Sequence, residues 1–240
     1  MVYKDSLTGS LNIKNVYKII KYRQQFYLAN PNYFKPDGLT IFVGPQGSGK
    51  TLSAVKYVCN LKKVFPDALI VTNIDLKEFP VDNEKVFYFE NALDLKKYNN
   101  DKLGVIFLID EIQLYFNSLA SKNIDPEVMV QISQQRKQRK HIIATSQVFG
   151  RMAKPLREQF SSVILCKNYF GFLQKNSLLD RDSLDGEEST GTNITGKVVK
   201  KIWWLHSPND YGSYDTYKVI ENDFKESGGY DIYGNNSTNS

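Results

Sequence analysis

Apolar residues along the chain fall into two alternating textures. Short, nearly continuous apolar runs are separated by stretches in which apolar residues recur at helical spacing. The runs LTIFV (39–43), ALIVTNI (68–74), VFYFE (86–90), LGVIFLIDE (103–111), HIIATSQ (141–147) and SSVILCKNYF (161–170) predict strands. The strongest is LGVIFLIDE, whose VIFLI segment has the pattern of a strand buried on both faces. Between these runs, residues 50–63 predict a helix. A second begins near Asp125, a good N-cap followed by Pro126 in the first turn, and runs through EVMVQISQQRKQRK. KPLREQF (154–160) predicts a short third helix. This alternation predicts an α/β domain with a mainly parallel central sheet and helices on both faces.

The texture changes on either side of that core. Residues 1–37 hold a basic amphipathic helix at 11–30, expected to pack on its own domain. The core is assigned to 38–175. Residues 176–225 form an excursion: a polar, acidic loop at 178–197, then strands at 198–206 and 213–220. Trp203 and Trp204 fall on the first of these, read as a strand with one face packed. The tail, 226–240, is too polar to fold alone.

Composition narrows the field only modestly. With 240 residues, 41% hydrophobic and 24% charged, the chain has an ordinary globular make-up and a net charge of only +5. Cys59 and Cys166 fall within a predicted helix and strand, as buried free thiols of a reducing compartment do. His141 and His206 have too few partners for a zinc site. No apolar run approaches the roughly 20 residues of a spanning helix, and MVYKDSLTGS lacks the apolar region of a signal peptide. The expected setting is the cytoplasm of a host cell, with association to a virion as an alternative.

Chemistry enters at GPQGSGKT, residues 44–51, placed between a strand and a helix. Glycines let the backbone turn tightly, and the loop amides with the following helix N-terminus attract phosphate. The expected nucleotide contacts are Gly44, Pro45, Gln46, Gly47, Ser48, Gly49, Lys50, Thr51 and Leu52, with Lys50 on the β- and γ-phosphates of ATP and Thr51 on Mg2+. A second element is Asp110, at the carboxyl end of a buried strand, where open α/β sheets bind ligands. Asp110 is the second expected metal partner. Glu111, next in sequence, is placed to orient and deprotonate an attacking water. Gln147 ends the next strong strand and would face the γ-phosphate if that strand neighbours the one carrying Asp110.

No acidic residue occurs between Glu127 and Glu158, while Arg136, Lys137, Arg139, Lys140, Arg151, Lys154 and Arg157 do. Arg136 and Arg139 are candidates for an arginine that reaches a neighbouring subunit's γ-phosphate. Lys137, Lys140, Arg151 and Lys154 are weaker candidates for nucleic-acid backbone contacts. A solvated basic helix end explains the same residues without either role.

Taken in order, GPQGSGKT, VTNIDL (71–76), FLIDEIQLYFNS (107–118), the arginine in QQRKQRKHIIATSQ (134–147) and PLREQF (155–160) resemble the zonular-occludens-toxin-like ATPases. That group includes the gene I assembly proteins of filamentous phages, in the FtsK/HerA branch of P-loop ATPases. The resemblance covers roughly residues 38–170 and implies a RecA-like core, ring or helical oligomers (pentamer or hexamer), ATP and magnesium. It also implies Lys50 and Thr51 as phosphate and magnesium ligands, Asp110 as metal partner, Glu111 as base, Gln147 as γ-phosphate sensor and Arg136 as first finger candidate. One departure stands out: filamentous-phage members usually continue into a transmembrane helix and an exported domain, and neither is expected from this sequence.

The expected activity is therefore ATP hydrolysis by an oligomer that moves DNA during virion assembly or genome packaging, with DNA and virion or portal proteins as partners. Two other readings stay open: an ATP-switched assembly factor that does not translocate, and a small-molecule kinase.

Overall fold

A computed structural model describes residues 13–77, 85–117, 125–184 and 196–214. Its frame is one eight-stranded sheet in the order β3-β2-β4-β5-β1-β6-β7-β8. The strands are β1 Leu39–Val43, β2 Leu69–Thr72, β3 Val86–Tyr88, β4 Val105–Ile109, β5 Lys140–Ser146, β6 Phe160–Tyr169, β7 Leu173–Leu179 and β8 Val198–Leu205. From β3 to β6 every neighbour is parallel; β7 and β8 add antiparallel strands beyond β6.

The helices are α1 Ile13–Ala29, α2 Lys50–Val64, α3 Asp94–Lys97, α4 Pro126–Gln134, α5 Lys154–Arg157 and α6 Pro208–Gly212. Alternation along β4 shows why its sequence is apolar throughout. Val105, Phe107 and Ile109 pack in one core with Leu95, Val128, Ile132 and Leu156 of α3, α4 and α5. Ile106 and Leu108 pack in the other with Ala54, Val55 and Val58 of α2 and with Phe34. Burial on both faces is what a parallel strand requires, since its crossovers place helices on either side.

Asp125 caps α4 as expected: its side chain accepts the Glu127 N–H at 2.8 Å, and Pro126 opens the helix. Regular helix ends at Gln134, however, and does not run through Lys140. The chain closes in a turn where the Lys140 N–H donates to the Gln135 carbonyl and the Arg139 N–H to the Arg136 carbonyl. This pair of bonds is a Schellman ending, with Arg139 in the left-handed position at φ 55. No glycine announces that stop. Arg139 holds it instead, its guanidinium donating to the Phe34 carbonyl at 3.1 Å and to the Tyr33 hydroxyl, and lying 3.7 Å from the Tyr33 ring centroid.

Two further differences bear on the site. Among the described residues, helix α1 does not pack along the domain: Ile13, Tyr17, Ile20 and Leu28 are exposed. Its link to the core includes Phe26, edge-on to Tyr33 at 4.8 Å. The polar stretch LQKNSLL forms β7, so the core boundary placed at 175 falls inside a strand of a continuous sheet. Most of the 178–197 loop and of the 213–220 strand, and all of the tail from 226, lie outside the described residues. Ser213 and Tyr214 are described, and Tyr214 pairs with Leu76.

Candidate nucleotide site

Strand order brings the expected site residues to one edge. β5 lies between β1 and β4, with Val43 opposite Ser146 and Ile109 opposite Ala144. Gly44, Asp110 and Gln147 therefore all emerge at the carboxyl ends of neighbouring strands, where such sheets hold ligands.

The loop is built by close approach. Gly44 has φ 153, and a Cβ there would stand 2.6 Å from Ser48 Oγ and 2.8 Å from the Cys166 carbonyl. Gly49, at φ 77, precedes α2, and a Cβ there would overlap Gln174 of β7. No side chain caps α2, which leaves its first N–H groups directed at the loop. Lys50 is buried and donates to the Pro45 carbonyl at 3.2 Å, folded into the ring of the loop. Ser48 Oγ is buried with no hydrogen-bond partner among the described residues. Leu52 is buried and lines the cleft between α2 and α6, so its backbone is what it offers a nucleotide.

Thr51 Oγ1 donates to Asp110 Oδ1 at 2.9 Å. Two hard oxygen donors meeting beside a phosphate loop fit magnesium. The buried, unpartnered Ser48 hydroxyl and the inward-folded Lys50 fit phosphate oxygens. Thr51 and Asp110 would hold the metal, and the ion would neutralise charge on the β- and γ-phosphates.

Asp110 is fixed by residues to which sequence reasoning assigns no role. Asn73, in the TNIDL segment, donates Nδ2–H to the Asp110 carbonyl at 3.0 Å and accepts the Asp110 N–H at 2.8 Å. Thr145, fully buried, donates to Asp110 Oδ1 at 2.5 Å and accepts the Glu111 N–H at 3.0 Å. Burial pushes the Asp110 carboxyl above the usual carboxylate range against these hydroxyl bonds; the Glu111 charge adds to the rise and Lys50 opposes it.

Glu111 sits in left-handed backbone at φ 50, which turns its side chain out of the strand direction. Gln147 Nε2 donates to Glu111 Oε1 at 3.0 Å, and Gln113 Nε2 donates to Oε2. Gln147, expected to face the γ-phosphate, here bonds the side chain of Glu111. Gln113, two residues past Glu111 in IDEIQ, is a partner that the sequence pattern does not single out.

The basic candidates separate. Arg136, Lys137 and Arg139 precede β5, at the sheet edge opposite the loop. The strand between Arg139 and Gln147 spans about 25 Å. Neither arginine reaches its own chain's phosphate site. Arg136, Lys137 and Arg151 are exposed, as is Lys154, 3.9 Å from Glu158. Lys140 is a correction to the nucleic-acid set: it is buried, donates to the Leu95 carbonyl at 2.7 Å, and burial lowers its pKa.

The largest omission is β7. Gln174, fully buried, donates to the Ser48 carbonyl at 2.9 Å and to Asn176 Oδ1 at 3.0 Å; Asn176 Oδ1 also accepts from Ser53 of α2 at 3.2 Å. Alongside it, Lys56 of α2 pairs with Asp210 at 2.9 Å and lies 4.1 Å from the Trp204 ring centroid. The antiparallel excursion is a wall for the phosphate loop. The signal was the pair of amides in LQKNSLL, polar residues two apart on one strand face.

Comparison with curated protein sequences returns no significant match. Among solved structures, the N-terminal domain of zonular occludens toxin from Neisseria meningitidis aligns with 74% of this chain and 98% of its own, at 18% identity and a TM-score of 0.49. The genome packaging NTPase B204 from Sulfolobus turreted icosahedral virus 2, in complex with ATP-gammaS, aligns with 69% of this chain and 98% of its own, at 15% identity and 0.47. B204, the DNA-packaging ATPase from Sulfolobus Turreted Icosahedral Virus, aligns with 55% and 76%, at 15% and 0.43. The family model for zonular occludens toxin (Zot) matches residues 38–206, which takes in the phosphate loop, the Asp110–Glu111 pair and the β7–β8 wall. A chain matched over that span, with a P-loop nucleotide site of this construction, belongs to the zonular occludens toxin family.

Proposed function

We propose that the protein is a Mg-ATP-hydrolysing motor that moves DNA during virion assembly or genome packaging. The observation that carries the hydrolytic part is Glu111, held by Gln147 and Gln113 beside the Thr51–Asp110 metal locus. Lys50 and the loop amides bind the phosphates. The Glu111 carboxylate orients a water and takes its proton, and the amide of Gln147 fixes the oxygen that does so. Because Gln147 also directly follows β5, the strand between β1 and β4, we assign it the role of registering loss of the γ-phosphate.

In this reading a second copy supplies the arginine, since the chain's own Arg136 lies at the far sheet edge. An exposed Arg136 on a neighbour in a ring of five or six is the assignment we favour. Arg139 is committed to Tyr33 and Phe34. Support for DNA as the cargo comes from exposed Arg136, Lys137 and Arg151 in a segment without acids. An ATP-switched assembly factor uses the same site with turnover indifferent to DNA.

The test is magnesium-dependent phosphate release by the full chain and by Glu111→Gln. The variant is expected to bind a fluorescent ATP analogue as the parent does and to turn over roughly 10²–10⁴-fold more slowly. Unchanged turnover in Glu111→Gln removes the assignment of the base.

A further inference from the structure

We propose that the outer face of the β6–β7–β8 extension is a binding platform for single-stranded DNA. The inference rests on the DNA reading above and deepens it by naming the surface and the strand type. Cross-strand registry aligns Lys167 with Lys175, Tyr169 with Leu173 and Lys175 with Trp203. Side chains alternate across a sheet, so Lys167, Tyr169, Lys175, Lys201 and Trp203 share one face. Gln174, Asn176 and Trp204 take the other, toward the phosphate loop and α2.

Upstream on the first face, Val163 and Leu165 belong to the core beneath α4 and α5. Past Leu165 that cover ends and an aromatic stack begins. Trp203 is 51% exposed and stacks on Tyr169, with ring centroids 5.7 Å apart and planes 28° apart. Lys175 Nζ lies 5.2 Å from the Trp203 centroid. At the tip of the same hairpin Phe170, 84% exposed, stacks on Phe172 at 6.1 Å. Phe170 holds a left-handed backbone, φ 56, unusual for a bulky ring. The tip is fastened from behind, where Tyr211 donates to the Gly171 carbonyl at 2.8 Å and the His206 N–H to the Phe172 carbonyl at 2.8 Å.

Exposed stacked rings among lysines suit unpaired bases on a phosphate backbone. In a duplex the bases already stack on one another and offer no free face. Charge points the same way: residues 160–179 and 198–205 contain no acidic side chain. A two-fold pairing of this face with itself would set lysine against lysine. The placement also joins the two surfaces of one strand. On β7, Gln174 holds the phosphate loop and the next residue, Lys175, faces the platform, so a strand ordered by DNA is also the wall of the nucleotide site.

The experiment measures fluorescence anisotropy of a labelled oligo-dT, and of a duplex of equal length, with the full chain in the absence of nucleotide. Trp203→Leu and Lys201→Gln are the variants, and sedimentation reports oligomer size. The parent is expected to prefer the single strand. Trp203→Leu should weaken that binding about tenfold at unchanged oligomer size. Lys201→Gln should flatten the dependence of log affinity on log salt by about 0.7. If Trp203→Leu lowers the folded fraction, Lys201→Gln reads the same surface from an exposed position. Parent-like oligo-dT binding by both variants overturns the proposal, as does equal or stronger binding of duplex. A change in oligomer size on Trp203→Leu assigns the face to a second copy of the chain and overturns it too. Because no nucleotide is present, loss of oligo-dT binding with turnover intact removes only the platform, and the reverse removes only the ATPase reading.

Discussion

Asp110 accepts hydrogen bonds from Thr51 and Thr145 on one carboxylate oxygen, and its backbone is clamped by Asn73. Those bonds place the carboxylate but do not offset its burial, which leaves its pKa raised. A carboxyl whose folded pKa exceeds its unfolded value favours the folded state below the unfolded pKa. That contribution is lost as pH rises through the folded one. At neutral pH, above its unfolded pKa, Asp110 therefore contributes less to the fold of the ligand-free chain than it does in acid. Asp110→Asn should raise the melting temperature of that chain at pH 7 and abolish the gain in nucleotide affinity on adding magnesium. In the parent, that gain should fade on acidification at a pH above the ordinary carboxylate range. Thermal melts and nucleotide titrations with and without magnesium check both. An Asp110→Asn variant less stable than the parent would mean the carboxylate stabilises the fold.

At the scale of elements, β7 ties fold to site. Gln174→Ala removes the donor to the Ser48 carbonyl and leaves buried polar groups unpaired, at about 1–3 kcal/mol. It should weaken nucleotide binding as well as stability, measured by denaturant unfolding beside nucleotide titration. The two arginines flanking the α4 turn should behave oppositely. Arg139→Ala is expected to lower stability by about 1–3 kcal/mol through its lost bonds to Tyr33 and Phe34. Arg136→Ala, exposed, should leave stability near the parent's and depress turnover of the oligomer. Elements were legible where a single force dominated. Uniformly apolar β4 and the capped start of α4 could be read directly from residues 105–109 and 125–126. β7 could not, because Gln174, Asn176 and Ser177 are buried by partners distant in sequence, and polarity alone reads as loop. Nor could the end of α4, since QQRKQRK favours helix and the stop depends on Arg139 finding Tyr33 and Phe34.

Across the whole molecule, the sheet separates two jobs. Its carboxyl edge holds the phosphate loop, Asp110, Glu111 and Gln147; its opposite edge presents Arg136 and Lys137. The phosphate loop and the acid pair were legible because their chemistry is local to short segments. Their support by Asn73, Thr145 and β7 was not, because it depends on strand order. On the proposed reading, this division makes a lone chain an incomplete ATPase, completed by a cation from a neighbour. The most direct measurement is ATP turnover per chain over a series of protein concentrations, with and without single-stranded DNA. Turnover per chain is predicted to rise with concentration and to rise further with single-stranded DNA. Turnover per chain that is constant with concentration and unmoved by DNA would contradict an oligomeric motor.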